Sequence, residues 1–282
     1  MHCYLNGEFL PTAEARVPVL DRGFLFGDGV YEVIPVYGRR PFRLDAHLRR
    51  LRRSLDALRM DPPHDDAHWR SLITELVARQ PFDDQGIYVQ VTRGVAKRDH
   101  AFPKDVAPTV FMMGNPLVTP TAPQLAQGVA AITAADNRWL RCDVKSTALL
   151  ANVLLRQLAV DQGAAETLLL RDGWLTEGSA SNVFIVAGGE IVTPPNGPLL
   201  LPGVTAEVVE DAARLEGLPL VRRPVSEAAL RAAEAVWITS ASREVLAVTT
   251  LDALPVGNGR PGPIFERIHR RFQSLKPAPG RP

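Results

Sequence analysis

Residues 141–155 read RCDVKSTALLANVLL, and the lysine in that stretch organises the reading of the whole chain. Of the 32 lysines and arginines in 282 residues, only four are lysines: Lys97, Lys104, Lys145 and Lys276. A primary amine at position 145 runs against the chain's habit. The apolar spacing that follows predicts a helix over residues 147–162, ended by Gly163. Lys145 then falls just ahead of a helix N-terminus, where the macrodipole disfavours a cation. A lysine whose pKa is lowered by burial becomes a nucleophile and forms Schiff bases with carbonyls. Taken by itself, Lys145 reads first as a surface lysine snorkelling to water. The rest of the chain decides between the two.

Composition bounds the answer. The chain is 46% hydrophobic and 22% charged with a net charge of +1, as in an ordinary globular protein. That balance offers no global field for nucleic acid or an anionic membrane surface. Cys3 and Cys142 are far apart and suggest neither a disulfide framework nor a zinc site, so no metal is expected and a reducing cytoplasm is the expected location. The start, MHCYLNGEFL, lacks the basic and apolar regions of a signal peptide. No run approaches 18 apolar residues, so no membrane span is expected.

Residues 1–114 read as an α+β unit. Asn6-Gly7 marks a two-residue hairpin. The strand over 29–37 contains Pro35, which makes it an edge strand or a bulged one. A helix begins at Asp45, with Leu48, Leu51 and Leu55 on one side. A second helix covers 68–78, and strands cover 87–93 and 109–113. Residues 115–124, rich in proline, are the expected linker. Residues 125–275 form the second domain, with strands near 128–133, 166–170, 181–186, 235–239 and 246–250. Its helices include one entered through Gly203 and one capped by Ser226. Residues 276–282 are expected to be a disordered tail.

A lysine-bound pyridoxal phosphate needs a phosphate site and a carboxylate for its pyridine nitrogen. In LLLPGVTAEVVEDAA, Gly203, Val204 and Thr205 stand at a helix start, where free N–H groups attract an anion. Equally, that threonine could simply cap its own helix. In WITSASREV, the cluster from Thr239 to Ser242 ends a predicted strand. Arg49, Arg50, Arg52 and Arg53 crowd one helix, and one of them could turn inward to a phosphate. In WLTEGSASNVFIV, Glu177 could keep a pyridinium protonated, or could be a solvated turn residue. The loop RGVAKRDHAFP gathers Arg93, Lys97, Arg98 and His100, a setting for a carboxylate or an exposed basic loop. Tyr31 could add a hydroxyl.

These pieces follow one another in the order of a known family. The motifs DRGFLFGDGVYEVI, HLRRL, DVKSTALLANVL, TEGSASNVF, LPGVT and ITSASREV resemble those of the fold-type IV (class IV) pyridoxal-phosphate aminotransferases. The resemblance runs from about Tyr4 to about Phe272. It implies a two-domain α+β fold, an N-terminal α/β sandwich-like domain and a C-terminal α/β pseudo-barrel, with pyridoxal 5'-phosphate in the cleft between them. It implies that Lys145 forms the Schiff base and shuttles the substrate proton, and that Glu177 meets the pyridine nitrogen. By the same resemblance Arg50, Val204, Thr205, Ser240 and Ala241 hold the phosphate, and Leu201 packs on the ring. Homodimers are the family's working unit. Within the family, RGVAKRDHAFP is most similar to the D-amino acid aminotransferase branch, in which Tyr31, Arg98 and His100 would trap the substrate α-carboxylate across the dimer interface. The expected activity is transamination from a D-amino acid of D-alanine type to a 2-oxo acid of 2-oxoglutarate type. Branched-chain L-amino acid aminotransferase, (R)-selective amine transaminase and aminodeoxychorismate lyase are the alternatives on the same fold. Ala180 and Ala241 depart from the family pattern, each losing a hydroxyl, so cofactor retention is expected to be somewhat weaker with activity kept.

Overall fold

A computed structural model describes residues 1–277. The chain divides into two compact units, residues 1–118 with 144–149, and residues 119–143 with 150–276. The division after residue 118 falls inside the expected linker. The return of 144–149 to the first unit follows from no local sequence signal.

The first unit contains β1 (His2–Leu5), β2 (Glu8–Pro11), α1 (Arg22–Phe26), β3 (Gly29–Tyr37), β4 (Arg40–Pro41), α2 (Leu44–Ala57), α3 (Asp66–Arg79), β5 (Gln85–Thr92) and β6 (Thr109–Pro116). Its six-stranded sheet has the order β2-β1-β6-β5-β3-β4. Asn6 and Gly7 both take positive φ, as the hairpin between β1 and β2 requires. The inner side of α2 repeats at three and four residues, burying Leu48, Leu51 and Leu55 against Val30, Ile34 and Val89 of the sheet.

Since β4 has only two residues, most of β3 has β5 on one side and, among the described residues, no strand on the other. Pro35 shares strand parity with Tyr31, whose N–H points to that outer edge, so its missing donor costs no ladder bond. Part of the edge is taken by residues 144–147. The Tyr31 N–H donates to the Lys145 carbonyl at 2.9 Å, and the Thr147 N–H donates to the Gly29 carbonyl at 2.9 Å.

The second unit contains α4 (Ala122–Gln127), β7 (Val129–Ala135), α5 (Leu150–Asp161), β8 (Glu166–Arg171), β9 (Trp174–Gly178), β10 (Asn182–Ala187), β11 (Glu190–Thr193), α6 (Val204–Leu215), β12 (Leu220–Arg222), α7 (Glu227–Arg231), β13 (Ala235–Ser240), β14 (Glu244–Leu251), β15 (Leu254–Pro255) and α8 (Pro263–Leu275). The main path of its sheet is β12-β11-β10-β13-β14-β7-β8-β9, with β15 on β14. The strands β9 and β10 stand five places apart in that order, yet only Ser179, Ala180 and Ser181 join them. Five steps of about 4.8 Å span about 24 Å in a flat sheet, and four peptide links reach about 14 Å. The sheet must therefore curl back on itself, in keeping with the pseudo-barrel expected of the second domain.

Two local departures from the sequence reading have clear causes. The helix α4 starts inside the proline-rich linker: Thr121 and Gln124 form a capping box, and Pro123 sits in the first turn, where a missing N–H costs nothing. The helix after Lys145 starts at Leu150 and not at residue 147, because the backbone groups of 145–147 are already spent on β3. The expected tail begins at Lys276, whose Nζ lies 2.6 Å from Glu244 Oε1, and its residues 278–282 lie outside the described residues.

Candidate active site

Lys145 is half-buried, in the extended segment that edges β3. Its carbonyl accepts from Tyr31, and its own N–H donates to Ser54 Oγ of α2 at 3.2 Å. The backbone is thus fixed from two elements. The amine is not: among the described residues Nζ makes no hydrogen bond or ion pair, and it lies 4.2 Å from the centre of the Tyr31 ring. That ring stacks on Tyr88 of β5 at 5.7 Å. The aromatic face gives the amine a contact without fixing its lone pair or protons.

Beneath Tyr31, on the opposite face of β3, Glu32 is 1% exposed. Arg50 donates to it twice, Nε to Oε1 at 2.7 Å and Nη2 to Oε2 at 2.8 Å. His47 Nδ1 lies 2.8 Å from Oε2. Burial alone would raise the Glu32 pKa, but Arg50 and His47 outweigh it and hold the carboxyl well below the usual range. Burial lowers the pKa of His47 despite Glu32. A neutral ring beside an ionised carboxylate must carry its proton on Nδ1, so His47 donates to Glu32 as a hydrogen bond and not as an ion pair. His47, Arg50 and Ser54 follow one another at three and four residues along α2, which aligns them on one face. Of the four arginines of this helix, Arg50 is buried and Arg49, Arg52 and Arg53 are exposed.

In the second unit Glu177 is the penultimate residue of β9 and is buried. Its Oε1 accepts from Arg138 Nη1 at 2.5 Å. Its Oε2 accepts from the Leu201 N–H at 3.1 Å and from Asn182 Nδ2 at 3.3 Å. Asn182 Nδ2 also donates to the Leu201 carbonyl at 2.8 Å. Arg138 is held from the other side by Asp136, Nε to Oδ1 and Nη2 to Oδ2, both at 2.9 Å. Burial would lower the Arg138 pKa, yet Asp136 and Glu177 together raise it. Glu177 is therefore a buried carboxylate with a permanent cation on it, not a solvated turn residue.

Val204 and Thr205 open α6, for which Gly203 is the N-cap, with no side-chain cap on the first turn among the described residues. Gly203 is required there, because a Cβ would lie 1.8 Å from Asn182 Oδ1. Ser240 ends β13, and its Oγ accepts from the Arg243 N–H at 3.2 Å, closing a turn over Ala241. Next to it, the hydroxyl of Thr239 is buried and has no partner among the described residues. An unsatisfied buried hydroxyl, an uncapped helix start and a carboxylate already balanced by arginine suit a phosphorylated pyridine cofactor. The donors and the acceptor that such a group requires are present.

Arg98 and His100 both sit on Phe26, the guanidinium carbon at 5.4 Å and the imidazole ring at 5.5 Å. Among the described residues of one chain, no hydrogen bond, ion pair or ring contact joins either of them to Tyr31. Their loop is anchored at its base. Asp28 accepts from Arg22 Nε and Arg93 Nε, each at 2.8 Å, and Arg22 Nη1 donates to the Asp99 carbonyl at 2.5 Å. Sequence reasoning missed Glu32, His47, Arg138 and Asn182. Three of them lie inside the quoted motifs, beside Tyr31, Arg50 and Glu177. A carboxylate at Glu32, in the otherwise apolar run of β3, is the one local signal that could have found a buried partner for an arginine.

Comparison with known proteins agrees with this geometry. The chain matches the amino-transferase class IV family over residues 29–251. It is 39% identical over 274 residues to the D-alanine aminotransferase of Bacillus licheniformis, covering 97% of this chain and 96% of that one. It is 37% identical over 271 residues to the D-alanine aminotransferase of Staphylococcus aureus strain MW2, covering 96% of each. Among solved structures, the branched-chain amino acid aminotransferase of Escherichia coli superposes with a TM-score of 0.91 at 25% identity, over 97% of this chain and 94% of that one. The branched-chain aminotransferase of Thermoproteus uzoniensis, solved with norvaline, gives 0.86 at 26%, over 97% and 93%.

Proposed function

The chain belongs to the class IV aminotransferases, and we propose that it is a pyridoxal-phosphate-dependent transaminase that moves the amino group of a D-amino acid, of D-alanine type, to a 2-oxo acid, of 2-oxoglutarate type. Identity of 39% and 37% to D-alanine aminotransferases over almost the whole chain favours this over the branched-chain reading. The branched-chain structures share the fold at 25% and 26% identity.

The observation that carries the chemistry is Lys145, whose backbone is fixed while its amine makes no hydrogen bond or ion pair among the described residues and lies over the Tyr31 ring. When bound, pyridoxal phosphate supplies an electron sink for negative charge at the substrate Cα. Lys145 would hold the cofactor through Nζ, and its amine would move the proton at the substrate Cα. Glu177 meets the pyridine nitrogen, and Arg138 and Asn182 fix its direction. Leu201 packs on the ring. Arg50, Val204, Thr205, Ser240 and the backbone of Ala241 receive the phosphate, and Glu32 and His47 orient Arg50. Tyr31, Arg98 and His100 receive the α-carboxylate.

The working unit in this reading is a homodimer. Two observations support it: no hydrogen bond, ion pair or ring contact joins Tyr31 to Arg98 or His100 among the described residues of one chain, and α5 exposes Leu150, Val153, Leu154 and Leu158. The location proposed is the cytoplasm. No helix among the described residues is long and apolar enough to cross a membrane.

The test is spectroscopic. Purified protein should carry a visible cofactor band that D-alanine bleaches and L-leucine leaves in place, and Lys145→Ala should lack the band. Bleaching by L-leucine alone would sink the D-amino acid reading. An unchanged band in Lys145→Ala would remove the lysine from its role.

A further inference from the structure

Glu166, the first residue of β8, is fully buried. Its Oε1 accepts from Ser179 Oγ and from the Thr167 N–H at 2.9 Å. Its Oε2 accepts from Ser181 Oγ at 2.7 Å. Arg243 Nη1 stands 3.2 Å from Oε2, off the line of a hydrogen bond, so that contact is ionic. One carboxylate therefore reaches two separate segments. The first is the three-residue loop that closes the curled sheet and follows Glu177. The second is the turn from Ser240 to Arg243. A Cβ on Gly178 would lie 2.3 Å from Ser181 Oγ and 3.1 Å from the Glu166 side chain, so the loop is packed tightly onto the carboxylate.

The energetics give this arrangement little value as plain stabilisation. A buried ion pair rarely outperforms apolar packing of the same volume. Burial even lowers the pKa of Arg243 against the attraction of Glu166. Glu166 does fix position: two hydroxyls on either side of Ala180 converge on it, and the cation it meets belongs to the other segment.

We propose that Glu166 is a positioning residue for cofactor binding, holding the Ser179–Ser181 loop and the Ser240–Arg243 turn at a fixed separation. Glu177, which meets the ring, and Ser240 with Ala241, which meet the phosphate, are then in register before the cofactor arrives. This rests on the pyridoxal-phosphate reading given above.

Glutamine at 166 offers one acceptor oxygen where two are used, and leaves Arg243 without a counter-charge. The dissociation constants of pyridoxal phosphate and of pyridoxal, which lacks the phosphate, are measured by equilibrium dialysis for wild type, Glu166→Gln, Arg243→Gln and the double variant. Glu166→Gln should weaken pyridoxal phosphate binding about tenfold or more. It should also reduce the preference for pyridoxal phosphate over pyridoxal. The double variant should bind no more weakly than the weaker single one, because both changes break the same link. Ser181→Ala, a milder change, should loosen binding in the same direction and serves if Glu166→Gln does not fold. Additive losses, or unchanged affinity with only a lower unfolding midpoint of the apoprotein, would overturn the proposal and leave the function reading intact. A wild type that binds no pyridoxal phosphate would overturn both.

Discussion

Arg138 is a buried cation with two carboxylates on it. Asp136 takes it on one edge and Glu177 on the other, and all three side chains are buried. Removing the guanidinium takes the Arg138 charge away from Glu177 and leaves Asp136 to Arg171, whose Nη2 lies 3.1 Å from Asp136 Oδ1; breaking a buried pair typically costs about 3–5 kcal/mol. Arg141, three residues on, also pairs with an aspartate, Asp143, but from an exposed position. An exposed pair is worth about 0–1 kcal/mol. Urea unfolding of the apoprotein should therefore show a large loss for Arg138→Leu and almost none for Arg141→Leu. Equal losses would mean that the buried triad is not the balanced unit described. The contrast also explains what could be read in advance. Lys145 was marked by the rarity of lysine in this chain, and Glu177 by the serine-rich loop after it. Arg138 was not, since one arginine among so many carries no mark until the fold brings Asp136, Glu177 and the Leu199 carbonyl around it.

At the scale of elements, α2 places three polar side chains, His47, Arg50 and Ser54, in a helix face otherwise filled mainly by leucines. The spacing of the leucines made the helix readable. It did not say which arginine would be buried, because that depends on Glu32 projecting from β3, a pairing eighteen residues away in sequence. The buried ring of His47 gives this element a pH response with a definite sign. Folded, the ring is neutral and its pKa is lowered. Unfolded, it titrates at about 6.5. The unfolded chain therefore binds the extra proton as pH falls below about 6.5, and stability declines from there towards the lowered folded value, by at most about 1.4 kcal/mol per pH unit for one such group. Glu32, held below the usual range, contributes its own loss only below about pH 4.3, where the unfolded carboxylate begins to protonate. Between about pH 7 and 5, His47→Gln should flatten the decline in unfolding free energy, leaving what His64 and His269, both also lowered, contribute. A slope identical to wild type would show that His47 is not neutral in the folded protein.

At the scale of the molecule, the return of residues 144–149 to the first unit has no mark in the sequence. Periodicity and turn residues report local structure, and most strands and helices stand within a few residues of their expected bounds. Residues 144–149 obey no local rule, because they are ordered by β3, more than a hundred residues earlier. That excursion has a measurable consequence for the first unit. Val144 is 6% exposed in the core of that unit. Its burial is worth about 1.5–3 kcal/mol. The backbone bonds of Tyr31 to Lys145 and of Thr147 to Gly29 add about 1 kcal/mol each. The sum is a substantial part of the ~5–15 kcal/mol that keeps a domain folded. Without the segment, the outer edge of β3 is also left open as a template for association. Residues 1–118 expressed alone should therefore be aggregation-prone and weakly folded. The same residues with 144–149 attached through a flexible glycine-serine linker should stay in solution and unfold at a higher urea concentration. If the two fragments behave alike, the segment that carries Lys145 contributes nothing to the stability of the first unit, and its backbone bonds serve only to aim the amine.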